Sequence, residues 1–177
     1  SLSGCPSALP TDWTCSVHSS NRMLVGPGAD LSGLNFMWAN IANRNLAGAT
    51  FDGISANAFT VNGSDLTGSS FYDAYGYNMQ AIGADFTSAN LDEANLTTAD
   101  FDGATMVGAI LTNTELWATD FNNANLQNAN LAGADHVYAN FTNANLTGAN
   151  LANVSLSSVD TTLTGVQAVN LVTCPSA

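Results

Sequence analysis

One period governs the chain. From Leu31 to Leu156 every fifth residue belongs to a single biased column that runs without an insertion or deletion. Its 26 positions hold twelve Leu and seven Phe, together with Ile41, Val61, Met106, Ala56, Gly76, Ala81 and His136. Two residues before each lies a second biased position, and Ala fills sixteen of those 26. The phrase is A-[N/D]-[L/F]-x-x, clearest in Ala124-Asn125-Leu126, Ala129-Asn130-Leu131, Ala144-Asn145-Leu146 and Ala149-Asn150-Leu151.

A period of five suits neither the 3.6-residue stripe of a helix nor the alternation of a strand, so it specifies a repeat architecture. No helix is expected within it. Such a chain buries one large and one small side chain per repeat only by turning a corner each time and stacking the coils, with backbone groups paired from coil to coil. Burying about 19 Leu or Phe side chains, at roughly 1.5–3 kcal/mol each, supplies the gross driving force against chain entropy.

These residues resemble the pentapeptide-repeat family, whose A-[D/N]-L-x-x consensus they follow over roughly three quarters of the chain. The resemblance implies an all-β fold, a right-handed quadrilateral β-helix with four pentapeptides per coil and the Leu/Phe and Ala positions turned inward. At a strand spacing of roughly 4.8 Å the repeats would form a rod of about 6.5 coils, about 31 Å long. Residues 1–28 and 159–177 lack the register yet stay apolar, with Leu9, Trp13, Met23, Leu24 and Val25 in the first and Leu163, Val166, Val169 and Leu171 in the second. An open solenoid end exposes apolar side chains and unpaired backbone, so these segments are expected to be an N-terminal cap and a C-terminal cap or junction around a repeat domain at 29–158.

The chain carries a net charge of −12, with Arg22 and Arg44 its only Lys or Arg residues. That balance disfavours nucleic acid and anionic membranes as partners. No apolar run approaches the length of a membrane span. Cys5 and Cys15 sit in or beside a short Pro-bearing stretch ahead of the repeats, where a disulfide would staple the cap and place the protein in an oxidising, secreted setting. Cys174 is left over. Leu2-Ser3-Gly4-Cys5-Pro6-Ser7-Ala8 is echoed by Leu171-Val172-Thr173-Cys174-Pro175-Ser176-Ala177, five of seven residues matching. The echo predicts one module of a tandem array, or a head-to-tail stacking subunit, with Cys174 as an inter-module cysteine.

With four repeats per coil, residues 20 apart stack in columns. Two of the exceptions read as volume swaps: Ile54 precedes Ala56 and Met79 precedes Ala81, a larger residue at the Ala site offsetting a smaller central one. Gly76 has no such partner in sequence, because Ala74 is also small, and predicts a bulge or an inward-turned Tyr75 or Tyr77. His136 lacks Cys or a second His at metal-ligand spacing and reads as a neutral core or corner residue.

The second face gathers the outward aromatics Trp38, Tyr75, Tyr77, Trp117 and Tyr138, a candidate binding face for protein or for stacking on sugar rings. Carboxylates concentrate on the first and third faces without the spacing of a calcium loop, so they read as solvated surface. The fourth face offers Thr67, Thr87 and Thr147, too interrupted by Val107 and Gln127 for an ice-binding array.

No positioned nucleophile, base, metal set or phosphate loop is evident, so the chain reads as non-enzymatic and free of cofactors. The expected function is a secreted or cell-surface structural and interaction module of bacterial type, its partners proteins or copies of itself, with carbohydrate as a further candidate. The alternative implied by the resemblance is an acidic mimic of duplex DNA that binds a type II topoisomerase. Twelve acidic residues from Asp30 to Asp135, less Arg44, give about one charge per 2.8 Å of rod, sparser than the roughly 1.7 Å of DNA.

Overall fold

A computed structural model describes residues 9–18 and 21–154. Cys5, Cys174, the last repeat beyond Val154 and the segment 159–177 lie outside the described residues.

From Asp30 onward the backbone forms 21 single-residue β-bridges, all parallel, and every one joins a residue to the residue 20 further on, as Asp30 to Thr50 and Asn130 to Asn150. The coil is therefore four pentapeptides, the period that the resemblance implied, and the fold is a right-handed quadrilateral β-helix. No helix is present among the described residues.

Why five residues suffice for a side of the coil is visible in residues 91–95, where every amide has a partner. Leu91 and Glu93 donate to Ile110 and Thr112 of the next coil, at 2.7 and 3.0 Å, and Asn95 donates back to Ala74 of the previous one at 2.9 Å. Ala94 closes a turn onto Leu91 at 3.1 Å. The fifth amide, on Asp92, is accepted by the Asn90 side chain at 3.2 Å. The same side chain to amide bond recurs at Asn35, Asn45, Asp65, Asp85, Asp100, Asp120, Asn140 and Asn150. The Asn/Asp position of the repeat is thus an Asx turn that satisfies the one amide the coil leaves over.

The corner has its own demand. The second residue after each central position has positive φ along the whole rod, from Gly28 at 66° to Asn153 at 61°. Combined with the turn bond, this is the signature of a type II turn, which favours Gly or Asn at that place. Gly and Asn fill most of the column, and Trp38, Thr98 and Tyr138 hold the same backbone at 64°, 57° and 62°.

Inside, the Leu/Phe and Ala columns form one continuous core. Phe101, Phe121 and Phe141 stack face to face, with centroids 5.4 and 5.0 Å apart. The volume swaps are present: Ile54 and Met79 are fully buried beside Ala56 and Ala81. Phe59, at another Ala site, is buried as well, its ring 5.0 Å from Phe36 and 6.1 Å from Phe51.

Gly76 corrects an expectation. No bulge forms, since its amide donates to Asn95 at 2.7 Å and Tyr75 bridges both neighbouring coils in register. Tyr75 and Tyr77 stay 58% and 48% exposed, so neither turns in. The space is taken from elsewhere: a Cβ on Gly76 would lie 2.9 Å from Leu96 Cδ2 and 3.5 Å from Met79 Sδ. Met79 therefore fills volume for two small central residues, Gly76 and Ala81.

Polar residues at the Ala site reach down one coil. The hydroxyls of Ser64, Thr114 and Thr119 donate to the carbonyls of Ile41, Leu91 and Leu96, each 23 residues earlier. Ser64 also accepts the Arg44 amide at 3.1 Å, standing in for a turn bond while Arg44 swings out to solvent. The Ser69 hydroxyl is buried with no hydrogen-bond partner.

Ahead of the rod, β1 (Thr14–His18) and β2 (Asn21–Val25) pair as an antiparallel hairpin. Val25 enters the core, and Trp13 and Met23 pack against it. Trp13 lies so close over Gly26 that a Cβ there would sit 2.6 Å from its ring. The amide of Gly28 then joins the coil register by donating to Ala47 at 2.9 Å.

Candidate interaction surface

With most backbone amides engaged between coils and the interior filled, side chains on the outside are the main surface the rod offers a partner. The five aromatics singled out from the sequence all face solvent, from Trp117 at 45% exposed to Trp38 at 75%. Four of them, Trp38, Tyr77, Trp117 and Tyr138, occupy the two turn positions of the second face and so share one edge of the quadrilateral. Tyr75 stands on the flat of the same face, at a bridge position. Only Trp117 and Tyr138 touch, edge to face with centroids 5.4 Å apart. Tyr72, exposed on the first face, donates to Glu93 Oε2 at 3.0 Å, and that bond, with the carboxylate's charge, raises its phenol.

A shallow cavity of about 120 Å³ lies where the first and second faces meet, lined by Asp73, Ala74, Tyr75, Glu93, Asn95 and Glu115. Asn95 donates to Glu115 within it. Elsewhere the carboxylates are tied into the lattice of coils: Asp102 accepts from Asn122 at 2.9 Å and Asp120 accepts from Asn140 at 3.0 Å. Among the described residues no group of three or more His, Cys, Asp or Glu is arranged to hold a metal ion, and no helix is long and apolar enough to cross a membrane.

His136 is buried, and desolvation lowers its basicity, opposed by a hydrogen bond with the Ala134 backbone and by the charge of Asp135. Cys15 is disulfide-bonded. The cysteine it pairs with lies outside the described residues.

The sequence matches the family model "Pentapeptide repeats" in eight copies, over residues 82–117 and 124–160. These segments are pentapeptide repeats. No curated protein matches it. Among solved structures, this pentapeptide rod is similar to HetL, a pentapeptide repeat protein involved in heterocyst differentiation regulation from the cyanobacterium Nostoc sp., at 19% identity and a TM-score of 0.38, covering 78% of this chain and 84% of that one. It is also similar to QnrB1, a plasmid-mediated fluoroquinolone resistance protein, at 20% identity and a TM-score of 0.37, over 81% and 78% of the two chains. A pentapeptide repeat protein of the Arabidopsis thaliana thylakoid lumen matches at 25% identity and a TM-score of 0.31, over 73% and 82%.

What sequence reading missed here is the corner. The positive-φ column was present as a Gly/Asn bias in the two unspecified positions of the repeat, and it is the signal that puts Trp38 and Tyr138 on an edge rather than on a flat face.

Proposed function

We propose that this pentapeptide rod is a non-enzymatic structural and interaction module that works outside the cell or on its surface, and that the aromatic edge of its second face is where partners dock. The observation that carries the reading is the gathering of Trp38, Tyr77, Trp117 and Tyr138 on one edge of a body most of whose backbone amides are bonded internally. Large aromatics held in solvent by a fixed backbone are contact residues in most interfaces, because they lose little conformational entropy on binding. Two of them, Trp38 and Tyr138, occupy a backbone region that costs an L-residue roughly 1–2 kcal/mol, at a column where Gly or Asn would be easier.

The disulfide at Cys15 supports an oxidising compartment, since such bonds persist mainly in secreted and surface proteins. The proposed partner of Cys15 is Cys5, with Cys174 serving a junction to a further copy or module.

The test is a binding screen against arrayed glycans and immobilised peptides, comparing the wild-type chain with a W38S/Y77S/W117S variant of matched melting temperature. Binding that the variant loses supports the edge as a contact surface. Binding that the variant keeps overturns it. Thiol labelling of natively purified protein checks the compartment: one free thiol fits the secreted reading, and three sink it.

A further inference from the structure

Resting on the reading of the aromatic edge as a contact surface, we propose that its occupant is a basic polypeptide segment in the polyproline II conformation, with Arg or Lys at every third residue. Along the edge, the paired turn residues of successive coils are Met37-Trp38, Asn57-Ala58, Tyr77-Asn78, Thr97-Thr98, Trp117-Ala118 and Val137-Tyr138. Trp38, Tyr77 and Trp117 thus stand on alternate coils, with the half-buried Asn57, Ala58, Thr97 and Thr98 between them, and Tyr138 on the coil after Trp117 packs against its ring and ends the alternation there. Tyr77 and Trp117 are two coils apart in one column, which at a strand spacing of about 4.8 Å is about 9.6 Å.

That corrugation has a natural counterpart. A polyproline II helix turns once in three residues at about 3.1 Å each, a repeat of about 9.3 Å, so one turn of peptide spans one aromatic ridge and one valley. A β-strand repeats its side chains every ~6.6–6.8 Å and falls out of step. It also needs a continuous row of backbone partners, and along this edge the second amide of each turn pair already donates to the neighbouring coil: Ala58 to Tyr77, Asn78 to Thr97, Thr98 to Trp117 and Ala118 to Val137. Polyproline II needs none of them, having its own backbone solvated and recognised through aromatic-lined surfaces.

Charge decides the side chains the segment must carry. The bridge positions on either side of the edge near Trp117 are Glu115 and Asp135 on the second face and Asp100 and Asp120 on the third. The chain's two basic residues lie elsewhere, Arg44 on the fourth face and Arg22 in β2. A guanidinium placed over Trp117 or Tyr77 would gain the ring's electrostatic attraction and a carboxylate at once. A neutral glycan would use the rings and leave that field unmatched.

The test titrates the full chain with (Pro-Pro-Arg)4 by calorimetry, alongside (Pro-Pro-Glu)4, an isomer of (Pro-Pro-Arg)4 with its arginines adjacent, and a neutral β-glucan oligosaccharide. The expected result is binding of (Pro-Pro-Arg)4 in preference to the others, weakened steeply by salt. Trp117→Ala should weaken it by about ten-fold at an unchanged melting temperature, with Trp38→Ala as the second variant should the first unfold. An E115Q/D120N double variant should keep binding but flatten its salt dependence. Equal binding of the adjacent-arginine isomer overturns the register, and binding that ignores salt or Trp117→Ala overturns the site. If the glucan binds through Trp117 while the peptide does not, the occupant is wrong and the contact surface stands. If neither probe binds and the screen above also finds nothing that the edge variant loses, both readings fall.

Discussion

The rod from Leu34 to Ala81 and the rod from Ala84 to Val154 have the same backbone and different interiors. In the later stretch the inward positions are almost entirely Ala with Leu or Phe, and most bridge positions carry Asn or Asp. In the earlier one the Ala sites hold Leu34, Arg44, Ile54, Phe59, Ser64, Ser69 and Met79, the central sites include Ala56, Gly76 and Ala81, and the bridge positions from Thr50 to Gln80 depart from Asn/Asp everywhere except Asp65. The family match lies in the regular stretch, starting at residue 82, whereas the bridge ladder is unbroken through both. The geometry of turn and bridge is therefore the invariant. Core letters vary as long as each coil's volume is filled, and some of the leftover amides are satisfied by a side chain of another coil. In the irregular stretch Asp52 and Asn62 cap Tyr72 and Ile82 of the next coil, where Ser70 and Gln80 do not.

If the irregular core is a set of compensations, breaking one member should cost more than restoring consensus gains. Met79→Ala opens a cavity beside two small residues and should destabilise by about 2–5 kcal/mol in denaturant unfolding. Ala81→Leu added to it should recover part of that loss, a coupling of about 1 kcal/mol or more that a double-mutant cycle reads. Purely additive losses would show that the two sites do not share volume. Gly76→Leu writes the family letter back into the second column, yet should destabilise by about 1–3 kcal/mol because Leu96 and Met79 already occupy the space. A stabilised G76L protein would mean the irregular stretch is merely loose.

Polar positions give a smaller and opposite pair. Ser69→Ala removes a buried hydroxyl that has no partner and should stabilise by about 0.5–1.5 kcal/mol, whereas Thr119→Ala, whose hydroxyl bonds Leu96 at 2.8 Å, should be neutral or destabilising by about 1 kcal/mol. Thermal melts of the two variants side by side check the contrast. Equal shifts would mean that hydroxyls at the Ala site behave alike whether or not they are bonded.

How much of this was legible follows from what repeats. The period of five, the inward columns and the Ile54/Ala56 and Met79/Ala81 swaps are one-dimensional patterns and could be read directly. The Asx cap was written in the Asn/Asp position, and the type II corner in the Gly/Asn bias two residues on, but neither is apolar, so a reading led by hydrophobic period passed over both. Gly76 could not be solved within its own repeat, because its void is filled by Leu96 from the coil above and by Met79 from the next side. Phe59 likewise finds Phe36 and Phe51 on other sides of the coils. For the candidate surface, the sequence identified which aromatics point outward. The alternation of Trp38, Tyr77 and Trp117 along an edge emerged only with the turn geometry.

The smallest expected effect tests the regular stretch at its one titratable core position. His136 takes the place of a Leu in the second column, buried where desolvation favours the neutral imidazole and pushes its pKa below the ordinary 6.5. Well above pH 6.5 both folded and unfolded chains hold it neutral, and it adds no pH dependence. As pH falls through 6.5 the unfolded chain binds the proton first, so native stability declines with falling pH until the folded-state pKa is passed, below which the loss is complete and constant. His136→Leu should abolish that component. The carboxylates titrate in both proteins, so the informative quantity is the difference in melting temperature between wild type and H136L from pH 8 to pH 4. A gap that widens in favour of H136L below pH 6.5 is the expected outcome. A flat gap would mean that the imidazole gains enough from Asp135 and the Ala134 backbone to offset its burial, and that even the regular half of the rod carries its own compensation.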